Sequence, residues 1–308
     1  MTRRTGNFIA FLLLACWPAA TAQLLTWNDI SGPPGFERLY ELGDGTLYAT
    51  DQDVLYRSFD GGVTWENFPR PGGPILEFAA RGSVTVLAIQ RNFVNYKQYF
   101  LSADRGNSWT RIYTEANPVH TNLMLSADGT PYALYPAGSK FAVERFVNGL
   151  WERMGVPSGV FSVAPPRLWT VSDLDDSGTF YIGSTADGIH SSRDNGRTWT
   201  KALPYRYVSS IAFAPGGRVA IATTPNGRTV GGVFVSDDRG ATWNLAGLTD
   251  VYILGFKFNA AGDLLVLGNW TIGTAAGIYR LDAGAADWDS TEPFDFDYNT
   301  LHVTAAGK

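Results

Sequence analysis

One octapeptide returns along this chain at an almost constant interval, and that regularity restricts the fold more than any other feature. Clean copies run Ser58–Trp65, Ser102–Trp109, Ser192–Trp199 and Ser236–Trp243, each of the form Ser-x-Asp-x-Gly-x-Thr/Ser-Trp. Two worn copies fill the gaps: Asn148-Gly149-Leu150-Trp151 lacks two residues, and Asp282-Ala283-Gly284 reaches Trp288 with one added. Counted at the Asx positions 60, 104, 148, 194, 238 and 282, the intervals are 44, 44, 46, 44 and 44 residues. A period of that length belongs to a structural repeat whose units bury their apolar faces against one another.

The residue types say what each copy does. An Asp side chain can accept the backbone N–H groups of a short turn, and Gly is free to adopt positive φ. Thr and Trp then open a strand, and Trp is large enough to fill the wedge between adjoining sheets. Six of the nine tryptophans beyond residue 22 (65, 109, 151, 199, 243 and 288) occupy this one position, a distribution that packing explains and catalysis does not. Asp60, Asp104, Asp194, Asp238 and Asp282, with Trp65, Trp109, Trp199 and Trp243, are therefore read as structural.

Between these corners the apolar residues fall in short runs. In the second unit they are about Ile75 to Ala80, Val84 to Ile89, Lys97 to Ser102 and Ser108 to Tyr113. In the fifth they are Ser209 to Phe213, Val219 to Thr223, Gly232 to Ser236 and Thr242 to Leu245. Helix formers are sparse and glycines number 34, so the class is all-β. Four strands in a unit of about 45 residues make a propeller blade. The expectation is a six-bladed β-propeller of four-stranded antiparallel blades, one domain over residues 23–308, with corners near 58–65, 102–109, 146–151, 192–199, 236–243 and 280–288. Leu24–Asn28 resembles the last strand of a unit and Leu301–Lys308 a first strand and turn. Either the two ends clasp a six-bladed ring, or the chain stops inside an incomplete seventh blade.

The first 22 residues read as a secretory signal peptide: Arg3 and Arg4, an apolar run from Phe8 to Ala15, and Ala20-Thr21-Ala22 before the expected cut. A secreted or periplasmic location follows as an expectation. Leu13-Leu14-Ala15-Cys16 is a poor lipoprotein box, which would make Cys16 a lipid anchor; the downstream site is the better one. No later stretch has the length of a transmembrane helix. Cys16 is the only cysteine, so a processed chain would have no disulfide and would rest on burial of its 45% hydrophobic residues. A net charge of −5 argues against nucleic acid as a partner. The three histidines, His120, His190 and His302, fall in different units, and no metal or cofactor is expected. The acidic residues Asp287, Asp289, Glu292, Asp295 and Asp297 match no cation-loop spacing and read as a solvated loop. A monomer is expected.

The corner sequence resembles the Asp-box, or bacterial neuraminidase repeat, of sialidases, sortilin-type receptors and photosystem II assembly-factor propellers. The resemblance to sialidases implies three arginines on a substrate carboxylate, a tyrosine nucleophile with a glutamate, and an acid/base aspartate. The first of those arginines sits in a Phe/Tyr-Arg-Ile-Pro motif, whereas this chain reads Phe36-Glu37-Arg38-Leu39, one residue out of step and without the proline. A one-residue slip turns a strand side chain to the other face. Arg38, Asp51 and Tyr298 are the available catalytic counterparts, with no glutamate in an obvious partner position.

Turn lengths assign the two ends of the ring. The first-to-second-strand turns and the corners are tight and share one end, so the longer connections, such as Gln90 to Tyr96, Thr224 to Gly231 and Pro204 to Tyr207, emerge at the other. Binding residues concentrate on loops carried by a rigid frame. Arg91, Tyr96, Arg206, Tyr207, Arg228 and Trp270 are the candidates there, through ring stacking and guanidinium forks. The reading that results is a non-catalytic binding or assembly propeller for a protein segment or glycan; the alternative is a diverged sialidase-like glycoside hydrolase.

Overall fold

A computed structural model describes the backbone of residues 10–12, 27–29, 38–41, 46–50, 54–91, 96–116, 120–137, 140–155, 170–184, 188–204, 207–214, 216–224, 231–259, 261–269, 276–290 and 301–303, with no helix among them. Six four-stranded antiparallel blades follow one another, each built from consecutive strands. Blade 1 comprises Arg38–Glu41, Leu47–Thr50, Leu55–Ser58 and Glu66–Asn67. Blade 2 comprises Ile75–Arg81, Val84–Arg91, Tyr96–Ser102 and Thr110–Ala116, and blade 3 Thr121–Leu125, Pro131–Ala137, Lys140–Val147 and Leu150–Gly155. Blade 4 is Thr170–Leu174, Phe180–Ser184, Gly188–Ser192 and Thr200–Leu203; blade 5 is Val208–Phe213, Val219–Thr223, Gly232–Ser236 and Asn244–Gly247. Tyr252–Phe258, Leu264–Asn269, Ala276–Leu281 and Asp289–Ser290 form blade 6. First strands of successive blades lie side by side around the centre, as a six-bladed β-propeller requires. The chain ends meet in a separate three-stranded sheet, in which Ala10–Leu12 pairs antiparallel with Trp27–Asp29 and parallel with Leu301–Val303. Its middle strand thus comes from the segment read as a leader.

Each clean corner closes by the same Ser and Asp bonds, and in all but the second, where Trp109 Nε1 donates to Pro69 O, the Trp donates to the corner glycine. In the first, Ser58 Oγ donates to Asp60 Oδ1 (2.7 Å) and accepts from Gly62 N (2.8 Å). Asp60 also accepts from Thr64 N (2.8 Å) and Thr64 Oγ1 (2.5 Å), and Trp65 Nε1 donates to Gly62 O (2.9 Å). Asp104, Asp194 and Asp238 repeat the pattern. These donors hold the Asp60 carboxyl down to about 2, the Thr64 hydroxyl being the largest influence. One expectation is corrected here. The fourth strands start after the Trp, at Thr110 and Asn244 instead of Ser108 and Thr242, because the Ser108 and Thr242 N–H groups and hydroxyls are committed to the Asp.

Corners and first turns share an end, since Arg105 N donates to Ser83 O (2.9 Å) and Arg239 N to Gly217 O (3.2 Å). The corners also join blades. Arg105 O accepts from Tyr48 Oη (3.1 Å) and Arg57 Nη1 (3.0 Å) of blade 1, and Arg239 O from Arg193 Nη2 (3.1 Å) of blade 4. Gly106 needs to be glycine twice over: its φ is 87°, and a Cβ there would lie 2.3 Å from the Phe68 ring. Four of the corner tryptophans pack against clusters shared by adjoining blades. Trp109 packs on the blade 1–2 cluster that holds Tyr48, Phe68 and Phe78, Trp199 on the blade 3–4 cluster around Phe180, Trp243 on the blade 4–5 cluster around Tyr181 and Ile221, and Trp288 on that of blades 5–6. A fully buried Phe180 or Leu264 contributes about 1.5–3 kcal/mol by leaving water.

Candidate functional site

The candidates at the loop face are placed in part. Arg91 ends the second strand of blade 2 and pairs in register with Tyr96, the first residue of the third, so the hairpin sets these two side by side in the backbone. Tyr96 is exposed. Tyr207, before the first strand of blade 5, is exposed and holds φ at 62°, a left-handed conformation that is an outlier for a bulky residue. Its carbonyl accepts from Thr224 N (3.0 Å), which ties the connection between blades 4 and 5 to the end of the second strand of blade 5. Arg206, Arg228 and Trp270 lie outside the described residues, as do Asp51 and Tyr298; Arg38 opens the first strand of blade 1.

Beneath this face, between blades 2 and 3, lies a group that the sequence reading missed. His120 is buried, and its Nδ1 is 2.8 Å from Glu115 Oε1 while its Nε2 is 2.8 Å from Glu144 Oε2. Tyr99 Oη donates to Glu115 Oε2 (2.8 Å), and Arg153 Nε to Glu144 Oε1 (3.0 Å). Lys97 Nζ donates to Glu77 Oε1 (3.0 Å) and to the His120 carbonyl. Trp151, from the worn third corner, stacks on the imidazole at 4.7 Å, and the Arg153 guanidinium lies 4.4 Å from the Tyr135 ring centre. Burial and Glu115 raise Tyr99 far above the usual phenol range, so it stays a donor. The joint is therefore not held by apolar burial alone, contrary to expectation. A hint was present: Glu77 and Glu144 interrupt apolar strands, Ile75–Arg81 and Lys140–Val147, where nothing solvates a charge except a partner.

Two further polar regions lie toward the corner end. Arg81 crosses three blades, donating to Leu125 O (3.2 Å) of blade 3 and to Asp175 O (3.4 Å) and Asp176 Oδ1 (2.7 Å) of blade 4. Desolvation pushes the carboxyl of Asp173, on the first strand of blade 4, up to about 6, against the Leu174 N–H that it accepts (2.8 Å) and the charges of Arg81 and Lys257. A cavity of about 340 Å3 opens between blades 4 and 5, lined by Ser177, Thr179, Arg193, Asp237, Asp238 and Arg239 among others. Its charges balance, and Asp237 pairs with Arg218 at 3.0 Å. Among the described residues no cluster of His, Cys, Asp and Glu has the arrangement of a metal site, and no helix is long and apolar enough to cross a membrane.

No protein-family model and no curated protein matches this chain. Its likeness is to solved structures. YCF48 bound to D1 peptide superposes with a TM-score of 0.55 at 16% identity, over 80% of this chain and 78% of that one. The GH74 xyloglucanase from Xanthomonas campestris gives 0.60 at 15% identity, over 82% of this chain and 44% of the other. TolB from Acinetobacter baumannii gives 0.50 at 12% identity, over 78% and 60%. At such identities the shared property is the fold: this chain is similar in architecture to propellers of several kinds.

Proposed function

We propose that this chain is an exported, non-catalytic propeller of the Asp-box type that binds a protein segment at its loop-bearing face. The observation that carries the reading is Tyr207, an exposed aromatic ring on a backbone held in a costly left-handed conformation. Strain of roughly 1–3 kcal/mol at a non-glycine residue persists where the surroundings impose it, and such positions cluster at binding sites. Tyr96 adds a second exposed ring on the same face, with Arg91 paired to it across the hairpin. Aromatic rings and guanidinium groups are the usual anchors of a bound segment. The superposable YCF48 propeller, whose structure holds a bound D1 peptide, supports the same reading.

The test is affinity capture from the exporting cell with the full chain. One partner should be enriched, lost in Tyr207→Ala and in Arg206→Ala, and kept in Leu150→Ala, where the exposed residue lies on the opposite, corner face. Equal loss from Leu150→Ala, or no enriched partner, overturns it. Glycan-array binding abolished by Trp270→Ala would assign a sugar as the ligand instead. A sialidase-like activity draws on Arg38 at the start of an inner strand; release of sialic acid from a fluorogenic sialoside, abolished by Tyr298→Phe, would establish it.

A further inference from the structure

We propose that His120 stands as an imidazolium between two carboxylates, and that this proton makes the joint between blades 2 and 3 a proton-dependent clasp. The inference goes beyond ligand recognition and is independent of it. Its basis is a count of donors and acceptors. Both ring nitrogens lie 2.8 Å from a glutamate oxygen, Glu115 Oε1 on one side and Glu144 Oε2 on the other. An ionised carboxylate only accepts, and a neutral imidazole has one N–H and one lone pair. A neutral ring would therefore press a nitrogen lone pair against a carboxylate in a buried place. With both nitrogens protonated, each oxygen receives a hydrogen.

The charges give the same answer. Among the described residues, the groups facing the ring or bonded to its partners are Glu77, Lys97, Tyr99 and Glu115 from blade 2, and Tyr135, Glu144 and Arg153 from blade 3. Three carboxylates meet two permanent cations, Lys97 and Arg153, and the imidazolium supplies the third. Burial alone disfavours a charged ring, but the hydrogen bonds and charges of Glu115 and Glu144 outweigh it and raise His120 above its ordinary pKa. A residue whose pKa is higher folded than unfolded stabilises fully below the unfolded value, and that contribution is lost as pH rises through the folded value. The clasp is thus fully closed below the ordinary imidazole value and opens as pH rises through the raised one. Its two halves, Glu115 and Glu144, belong to different blades, so the proton acts directly on their docking.

The full chain labelled with 15N tests this, since only three histidines are present and His120→Gln assigns the signal. At pH 7.5 both His120 ring nitrogens should carry protons. Wild-type Tm should fall by about 2–4 °C per pH unit while the ring titrates, beyond any slope in His120→Gln. Glu144→Gln should move the ring titration to lower pH. A ring with a single protonated nitrogen, which would put the proton on a glutamate, overturns the clasp, as do equal slopes in wild type and His120→Gln. Should His120→Gln fail to fold, His190→Gln and His302→Gln assign the other two signals, and the remaining wild-type ring decides.

Discussion

The joint between blades 2 and 3 adds a buried ionic group to its apolar contacts, whereas the joint between blades 5 and 6 is filled by apolar residues. At the latter, Ala222, Val233 and Val235 meet Phe256, Leu264, Val266 and Tyr279, and Trp288 closes the edge with Nε1 donating to Ala246 O at 2.6 Å. At the former, Trp151 covers an imidazole clamped by two glutamates, and its buried Nε1 has no hydrogen-bond partner among the described residues. Apolar burial is non-directional and insensitive to pH. The ionic joint needs every partner, and one that titrates, so its strength is conditional. A propeller requires that each wedge be filled; it does not require that the filling be oil.

The comparison breaks most visibly with Glu115→Ala, which strips the acceptor from both His120 Nδ1 and Tyr99 Oη. We expect a loss of about 3–5 kcal/mol in denaturant unfolding, the usual result of removing one partner from a buried ionic pair. Leu264→Ala should cost about 2–5 kcal/mol through the cavity it leaves in the apolar joint, with the same value at pH 6 and pH 9; a pH-dependent value would erase the distinction. Trp288→Phe should cost about 1–3 kcal/mol by leaving Ala246 O unpaired, whereas Trp151→Phe, which abandons no hydrogen bond, should cost less in the same assay. The smallest effect concerns an exposed corner. Because Asp60 is held down to about 2, the corner's stabilisation is present above its unfolded value near 4 and is lost as pH falls toward 2. The Tm difference between wild type and Asp60→Asn should therefore shrink over that acid window, the opposite limb from His120.

The corners were legible because their chemistry is local: Ser58, Asp60, Gly62, Thr64 and Trp65 complete one another within eight residues, and the repetition makes the pattern visible. The wedge role of tryptophan followed from its placement. The ionic joint was not legible, since Glu77, Lys97, Glu115, His120 and Glu144 come from both sides of a blade boundary and meet only through strand register. Each alone looked like an ordinary charged residue on a strand or loop. The fourth-strand starts were misplaced for a related reason: Thr242 has the composition of a strand residue but spends its N–H and hydroxyl on Asp238. Tyr207 was named for its ring, while its left-handed backbone and the bond its carbonyl accepts from Thr224 N appear only in the folded chain.

The worn third corner has a mechanical consequence. Asn148 and Gly149, with φ of 53° and 82°, make a two-residue turn where the corners of blades 2 and 5 present an arginine carbonyl to the blade before. Pulled or nicked, the ring should part first at that seam, and the force needed to part it should track the acidity of the surrounding water.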